Sequence, residues 1–217
     1  MRHSRFDEFV HHHPRFYRWK LDALNIAKRA IYMASGQDKK ISQMRAEIES
    51  KNREIVDRYF DGMKILEIGC GEGSSLAGLS ADRLCECVGV DISEVMIKAA
   101  AGRHRGPSYC VMDSSSLAFK DKEFDVVLFN YVLHHVANVN ETIVEAKRVG
   151  KKIVIYECCA WNRQPFKYIS RLYWKLTDGG YDYLSLSEWQ SRFGMPVLAE
   201  IRGRGLVRYG MCVFQVP

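Results

Sequence analysis

Ile65-Leu66-Glu67-Ile68-Gly69-Cys70-Gly71-Glu72-Gly73-Ser74-Ser75-Leu76 is the stretch that decides how this chain is read. The apolar run from Met63 to Ile68, opened by Asp61-Gly62, predicts a short buried strand. Glycines at 69, 71 and 73 let the backbone turn sharply and leave room for a ligand to lie against it. From Ser74 onward the pattern predicts a helix whose unpaired N–H groups point back toward that turn.

A glycine loop alone serves several nucleotide folds, so the spacing of the strands and acids downstream of it matters more. Val88-Gly89-Val90-Asp91 reads as a second strand ending in an acid, 20 residues past Gly71. A doubly wound sheet places there the carboxylate that takes two ribose hydroxyls. Tyr109-Cys110-Val111-Met112 reads as a third strand running into Asp113, and Phe124 to Asn130 as a fourth that ends in a polar residue.

The ordered set resembles the class I S-adenosylmethionine-dependent methyltransferases. It comprises Glu67-x-Gly69-x-Gly71-x-Gly73, Asp91, Asp113-Ser114, Phe124-Asp125-Val126-Val127 and Leu133-His134-His135-Val136, spread over about residues 60 to 160. The nearest flavour is the small-molecule, methyltransferase type 11 group, similar to the quinone C-methyltransferases. A nicotinamide-dependent dehydrogenase competes on the same fold, but its fingerprint wants glycine or alanine three residues after the second glycine. Ser74 stands there, and Glu67 has no role in that motif.

The resemblance implies a Rossmann-like α/β fold, with a doubly wound, seven-stranded, mostly parallel sheet whose last strand runs antiparallel beside the sixth. Strands are expected near 63–68, 85–90, 108–112, 124–129 and 151–157, and helices near 73–81, 94–103 and 139–149. A further amphipathic helix is expected over 164–176, then a capped short helix opening at Ser185-Leu186-Ser187-Glu188, then a closing strand pair. One domain is expected over 1–217: a helical cap (1–60), a cofactor-binding core (61–160) and substrate-side elements (161–217). The cap reading rests on Phe16, Trp19, Leu24, Ile31 and Met44 at helical spacing.

The resemblance also implies residue roles. Glu67, Gly69, Cys70 and Gly71 would hold the methionine portion of S-adenosylmethionine, and Asp91 the ribose. Ile92 and Met96 would pack on the adenine faces, with Met112, Asp113 and Ser114 at its edge. Asn130 would lie near the methyl group. Asp113 has a local alternative, capping the turn Ser114-Ser115-Ser116. S-adenosylhomocysteine would be the product. His134 and His135 come after the fourth strand, where an imidazole titrating near neutrality suits a general base toward a methyl acceptor. Tyr131, Tyr156 and Glu157 are further candidates there, and packing or local bonding is the competing role for the histidines.

Composition sets outer limits. With 47% apolar and 27% charged residues the chain has the makings of a folded globule rather than a disordered one. No apolar run approaches the ~20 residues of a membrane span, and the N-terminus lacks a secretory apolar core, so a cytoplasmic location is expected. The seven cysteines show no Cys-x-x-Cys pair, and His11-His12-His13 has no acid or cysteine at helical spacing, so no metal site is expected. The net charge of +6 (32 basic minus 26 acidic) is mild. It is concentrated between Lys147 and Lys175, where eight basic residues face only Glu157 in sequence. That run reads as a solvated face or as a surface for an anionic acceptor or peripheral membrane contact.

The fourth strand lacks the Asn/Asp-Pro-Pro-aromatic motif that holds a flipped base, so no nucleic acid is expected. A small, partly apolar methyl acceptor is the expected partner; oligomeric state is not legible. A cofactor-binding protein without transferase activity is the alternative from another class.

Overall fold

The computed structural model describes residues 63–83, 85–177, 180, 182–202 and 208–217. The helices expected over 1–60 and the three consecutive histidines lie outside those residues. Within them, strands and helices alternate: β1 (Lys64–Ile68), α1 (Ser74–Arg83), β2 (Glu86–Asp91), α2 (Glu94–Arg103), β3 (Ser108–Val111) and β4 (Phe124–Asn130). A one-turn 3-10 segment (Leu133–His135) leads into α3 (Val139–Val149) and β5 (Gly150–Cys159). Then come α4 (Phe166–Thr177), α5 (Leu186–Phe193), β6 (Val197–Arg202) and β7 (Arg208–Gln215).

The seven strands form one sheet in the order β3-β2-β1-β4-β5-β7-β6. Pairings from β3 through β5 are parallel, while β7 pairs antiparallel with both β5 and β6. The expected topology is therefore the observed one. The order reverses between β1 and β4, and the crevice at such a reversal, outside the carboxyl ends of the strands, is where α/β sheets bind ligands.

Both faces of the central strands are buried, which is why they read as continuous apolar runs rather than alternating ones. Successive residues serve opposite cores. Leu66, Val127, Phe129, Ile153 and Ile155 pack with Ile143 and Ala146 of α3 and with Trp189 and Phe193 of α5. Ile65, Val126, Leu128 and Val154 pack with Leu76 of α1 and Ile97 of α2 on the other face. This two-sided burial holds β1 rigid, and the glycine loop hangs from its end.

Helix ends obey local chemistry. Ser93 caps α2 through its side chain, which accepts from the Met96 N–H. Ser185 and Glu188 form a reciprocal capping box on α5, and Gly194 closes that helix in the left-handed conformation. Trp189, completely buried between α5 and the sheet, has no hydrogen-bond partner for its indole N–H among the described residues. Its value to the fold is then its volume. Trp189→Ala is expected to lower stability by about 3–5 kcal/mol, whereas Trp189→Phe, which also removes the unpaired donor, costs much less. Urea unfolding curves of the three proteins check this, and equal losses would refute it.

Candidate cofactor and acceptor site

The loop between β1 and α1 is stitched to the end of β2. The Gly69 and Cys70 N–H groups both donate to the Val90 carbonyl (2.8 and 3.0 Å), and the Gly71 N–H donates to Asp91 Oδ2 (3.0 Å). The Gly73 N–H donates to the Cys70 carbonyl (2.9 Å). The loop thus offers a ligand close approach more than open donors.

The three glycines are not equivalent. All have positive φ, at 73°, 52° and 78° for residues 69, 71 and 73. A Cβ on Gly69 would lie 2.2 Å from Val132 Cγ2, and one on Gly73 would lie 2.6 Å from the Tyr109 hydroxyl. Among the described residues, a Cβ on Gly71 meets nothing within 4 Å. Of the three, Gly71 is therefore the one whose missing side chain leaves an open cradle, while the other two admit neighbouring side chains. Gly89, inside β2, belongs to the same assembly: a Cβ there would collide with Cys70 Sγ, Leu76 and Tyr109. Glycine within a strand signals such close approach, a cue available in the sequence but unread there.

Glu67 sits in β1 between Gly89 of β2 and Leu128 of β4, and only 2% of it is exposed. Ser75 and Asn130 hydrogen-bond its carboxyl, yet burial outweighs them and pushes its pKa up to about 8, with the Asp91 carboxylate adding to the rise. Its Oε2 is buried without a hydrogen-bond partner among the described residues. A buried, unpartnered carboxyl oxygen is costly and calls for an explanation.

Asp91 ends β2 with its oxygens engaged by backbone, Oδ2 with Gly71 and Oδ1 with the Ser93 N–H (2.8 Å). Each carboxylate oxygen has a second lone pair, so two hydroxyls can still be accepted. Next to it, Ile92 is 69% exposed and Met96 half-buried. An apolar side chain that open beside a cradle is suited to stack a flat ring.

The third-strand residues behave differently. Asp113 Oδ1 accepts from the Ser115 N–H and hydroxyl (2.8 and 2.7 Å), the local turn that competes with adenine recognition, and these bonds lower its pKa. The Ser114 hydroxyl pairs with Thr142 of α3 (2.8 Å) rather than standing open toward a ligand, and Met112 is half-buried against the core. Cys70 is buried with its thiol against Gly89, and desolvation raises its pKa, so it stays protonated and poorly nucleophilic.

After β4 the chain turns through Tyr131, which holds a positive φ of 54° without being glycine. Such a conformation costs about 1–2 kcal/mol and persists where its surroundings impose it. They do so here: the Tyr131 N–H donates to the Tyr156 carbonyl (2.8 Å), and Glu157 Oε1 accepts from the Val132 and Leu133 N–H groups (3.0 and 2.7 Å). Glu157 Oε2 lies 2.5 Å from His134 Nδ1. His134 and Glu157 are 1% and 0% exposed. His134 also stacks on Tyr183 at 5.1 Å and lies 4.2 Å from the half-buried His135 ring. The structure thus brings Glu67, Gly71, Asp91 and Asn130 together at the strand ends. It buries His134 in a polar clamp, and leaves Tyr131 41% exposed at the rim.

The basic run from 147 to 175 is dispersed by the fold. Lys147 donates to the Phe193 carbonyl, Arg148 pairs with Glu145 and Asp121, Lys151 with Asp125, and Lys167 and Arg171 with Glu188. Acids outside the run, Glu145 a turn away on the same helix and Asp121, Asp125 and Glu188 distant in sequence, oppose the charges that Glu157 alone faces within it. Among the described residues no helix is long and apolar enough to cross a membrane, and no group of three His, Cys, Asp or Glu is placed to hold a metal ion.

Comparison with known proteins agrees with this geometry. Residues 66–155 match the family model described as a methyltransferase domain. An uncharacterised protein of Methanocaldococcus jannaschii is 38% identical over 105 residues, 47% of this chain and 48% of that protein. The ubiquinone biosynthesis O-methyltransferase of Roseobacter denitrificans is 33% identical over 118 residues, 51% of this chain and 46% of that enzyme. The chain spans about half the length of the curated relatives it matches. Among solved structures, geranyl diphosphate C-methyltransferase from Streptomyces coelicolor, crystallised with S-adenosyl-L-homocysteine, superposes with a TM-score of 0.65 at 15% identity, over 79% of this chain and 82% of that one.

The different surroundings of the three glycines make a direct test. Gly71→Ala is expected to fold with a loss of about 1–2 kcal/mol from the left-handed backbone alone, while abolishing ligand binding in the cradle. Gly69→Ala adds a clash with Val132 and is expected to be the less stable of the two. Thermal unfolding ranks them, and the reverse order would contradict the packing described.

Proposed function

We propose that this chain, whose core carries the sequence motifs and the sheet of the class I S-adenosylmethionine-dependent methyltransferases, transfers a methyl group from S-adenosylmethionine to a small organic acceptor. The observation that carries the reading is the open cradle at Gly71, beside the strand-end carboxylate of Asp91, whose charge acts on the buried Glu67 of β1. These features fit the group: a carboxylate for a ribose diol, a buried acid for an α-amino group, and a glycine face for close contact. The matched methyltransferase segment and the quinone O-methyltransferase among the relatives support it.

In this reading Glu67, Gly69, Cys70 and Gly71 hold the methionine end, Asp91 the ribose, and Ile92 and Met96 the adenine faces. Met112, Asp113 and Ser114 border the ring through their backbone and the turn they form, and Asn130 lies between Glu67 and the acceptor side. The bound sulfonium supplies an activated methyl group, so the protein's task is alignment of the acceptor rather than activation.

His134, tied through Nδ1 to Glu157, serves to shape the 131–135 turn. His135 is half-buried and Tyr131 exposed at the rim, and these are the side chains assigned to meet an acceptor or receive its proton. The relatives' chemistry and the apolar residues at the rim favour a partly apolar acceptor. Buried cysteine thiols such as Cys87 and Cys212, whose pKa values burial pushes up to about 12 and 11, suit the reducing cytoplasm.

Calorimetric titration decides the cofactor. S-adenosylhomocysteine and S-adenosylmethionine are expected to bind and NAD is not. Asp91→Ala is expected to weaken both sulfur ligands by at least ~100-fold, from the loss of two charge-assisted hydrogen bonds at roughly 1.5–3 kcal/mol each. A well-folded protein that binds NAD and neither sulfur ligand would overturn the proposal.

A further inference from the structure

The amphipathic helix expected over 164–176 forms as α4, but its apolar side faces out. Lys167, Ser170, Arg171 and Trp174, at the i, i+3, i+4, i+7 spacing of one helical face, point into the protein. Lys167 and Arg171 both pair with Glu188 (2.7 and 3.1 Å), and the Arg171 Nε donates to the Tyr183 carbonyl (2.9 Å). The Ser170 hydroxyl accepts from the Trp161 N–H (3.0 Å), and the buried Trp174 donates to the Cys159 carbonyl (3.4 Å). Phe166, Tyr168, Ile169 and Leu172 are left on the outside, 51 to 63% exposed.

A helix that serves only the fold turns its apolar stripe to the core. α4 does the reverse, and its outward side chains are neighbours at i, i+3 and i, i+4 spacing. Among the described residues they are four of the eleven exposed large apolar side chains, gathered on one 12-residue helix. Single exposed apolar residues are ordinary, whereas a contiguous group marks a surface that meets something.

Charge decides between occupants. From Cys158 to Thr177 the sequence carries Arg163, Lys167, Arg171 and Lys175 and no acid. Glu188 takes the inner two, while Arg163 and Lys175 stay exposed toward the two ends of the apolar face. In a two-fold dimer through this face, each Arg163 faces the other copy's Lys175 if the helices run antiparallel, and the other copy's Arg163 if they run parallel. Cation opposes cation either way. An anionic bilayer suits both parts of the surface, since the apolar side chains enter the interface and the cations meet lipid phosphates. At 12 residues, about 18 Å, α4 is too short to cross a ~30 Å hydrocarbon core.

We propose that α4 is a membrane-surface helix that lies flat on an anionic bilayer. Phe166, Ile169 and Leu172 enter the interface, Tyr168 sits at headgroup level, and Arg163 and Lys175 meet the phosphates. Docking does not depend on the cofactor reading, but it bears on the acceptor side. Trp174 stacks on Tyr183 at 6.0 Å and Tyr183 on His134 at 5.1 Å. The bilayer-facing helix is thus packed ring on ring against the turn that presents Tyr131.

The test is co-sedimentation of the full chain with vesicles of phosphatidylcholine alone and of phosphatidylcholine with phosphatidylglycerol in equal parts. The two exposed cations are expected to favour the anionic vesicles by on the order of 30-fold, about fivefold each, and added salt to reduce that preference. Ile169→Glu/Leu172→Glu is expected to lower binding to the anionic vesicles by about 100-fold or more. It is expected to keep the parent's unfolding temperature, because both side chains face solvent. Arg163→Gln/Lys175→Gln is expected to lose most of the anionic preference. Parent protein that stays in the supernatant with anionic vesicles overturns the inference. So does a folded Ile169→Glu/Leu172→Glu protein that binds like the parent, since binding then comes from elsewhere in this basic chain. Self-association of the parent, abolished by Ile169→Glu/Leu172→Glu and unaccompanied by vesicle binding, overturns it in favour of a second copy. If Ile169→Glu/Leu172→Glu fails to fold, Arg163→Gln/Lys175→Gln decides, and an anionic preference equal to the parent's overturns the inference.

Discussion

The two hydrogen bonds from the Gly69 and Cys70 N–H groups to the Val90 carbonyl are the constraint on which the site depends. They weld the exit of β1 to the exit of β2, so that the chain cannot continue as a strand and must fold back into α1. The weld brings the Gly71 N–H within 3.0 Å of Asp91 Oδ2, placing the loop and the strand-end acid in contact before any ligand arrives. Its cost is crowding. Cys70 Sγ, Leu76 and Tyr109 converge on β2 so closely that residue 89 tolerates no side chain. On the far side of the loop Val132 does the same at residue 69. The cradle at Gly71 is what remains open after its flanks have been filled.

The order of elements was legible because it obeys local rules. Two-sided apolar strands, glycines at a strand exit and an acid 20 residues on are all one-dimensional signals. The capping box at Ser185 and Glu188 was legible for the same reason: its partners lie three residues apart. What escaped reading depends on side chains distant in sequence. Nothing local distinguishes Gly71 from Gly69 and Gly73, since the difference lies in Val132 and Tyr109 standing against the latter two. Nor does the stretch around Lys147 reveal that Asp121, Asp125 and Glu188 return to meet its cations. A charge run in sequence is thus no measure of a charged surface. The turn alternative at Asp113 was legible, and the structure realises it with Ser115.

The turn after β4 shows how a strained residue is imposed. Tyr131 in the left-handed region is held at its own N–H by the Tyr156 carbonyl, and the next two N–H groups are taken by one oxygen of Glu157. With three consecutive donors fixed by β5, the backbone has little freedom to relax. Because β4 and β5 are paired along their length, from Phe124 against Gly150 to Asn130 against Tyr156, the turn inherits the rigidity of the sheet. A rim residue presented this way takes its backbone direction from the sheet.

Glu157 and Glu67 occupy comparable depths at the ends of neighbouring strand pairs, yet their hydrogen-bond states are opposite. Glu157 has one oxygen filled by two backbone donors and the other by His134, so its lone pairs serve the fold. Glu67 has neutral partners in Ser75 and Asn130 and one oxygen with none. A buried carboxyl with both oxygens engaged contributes architecture, and removing it leaves backbone donors stranded. One with an oxygen unpartnered among the described residues carries an unmet electrostatic demand. Folding alone provides no reason to retain such a group, since an apolar residue of similar volume would fill the space between Gly89 and Leu128 more favourably. In the cofactor reading proposed above, Glu67 is retained for its ligand rather than for the fold.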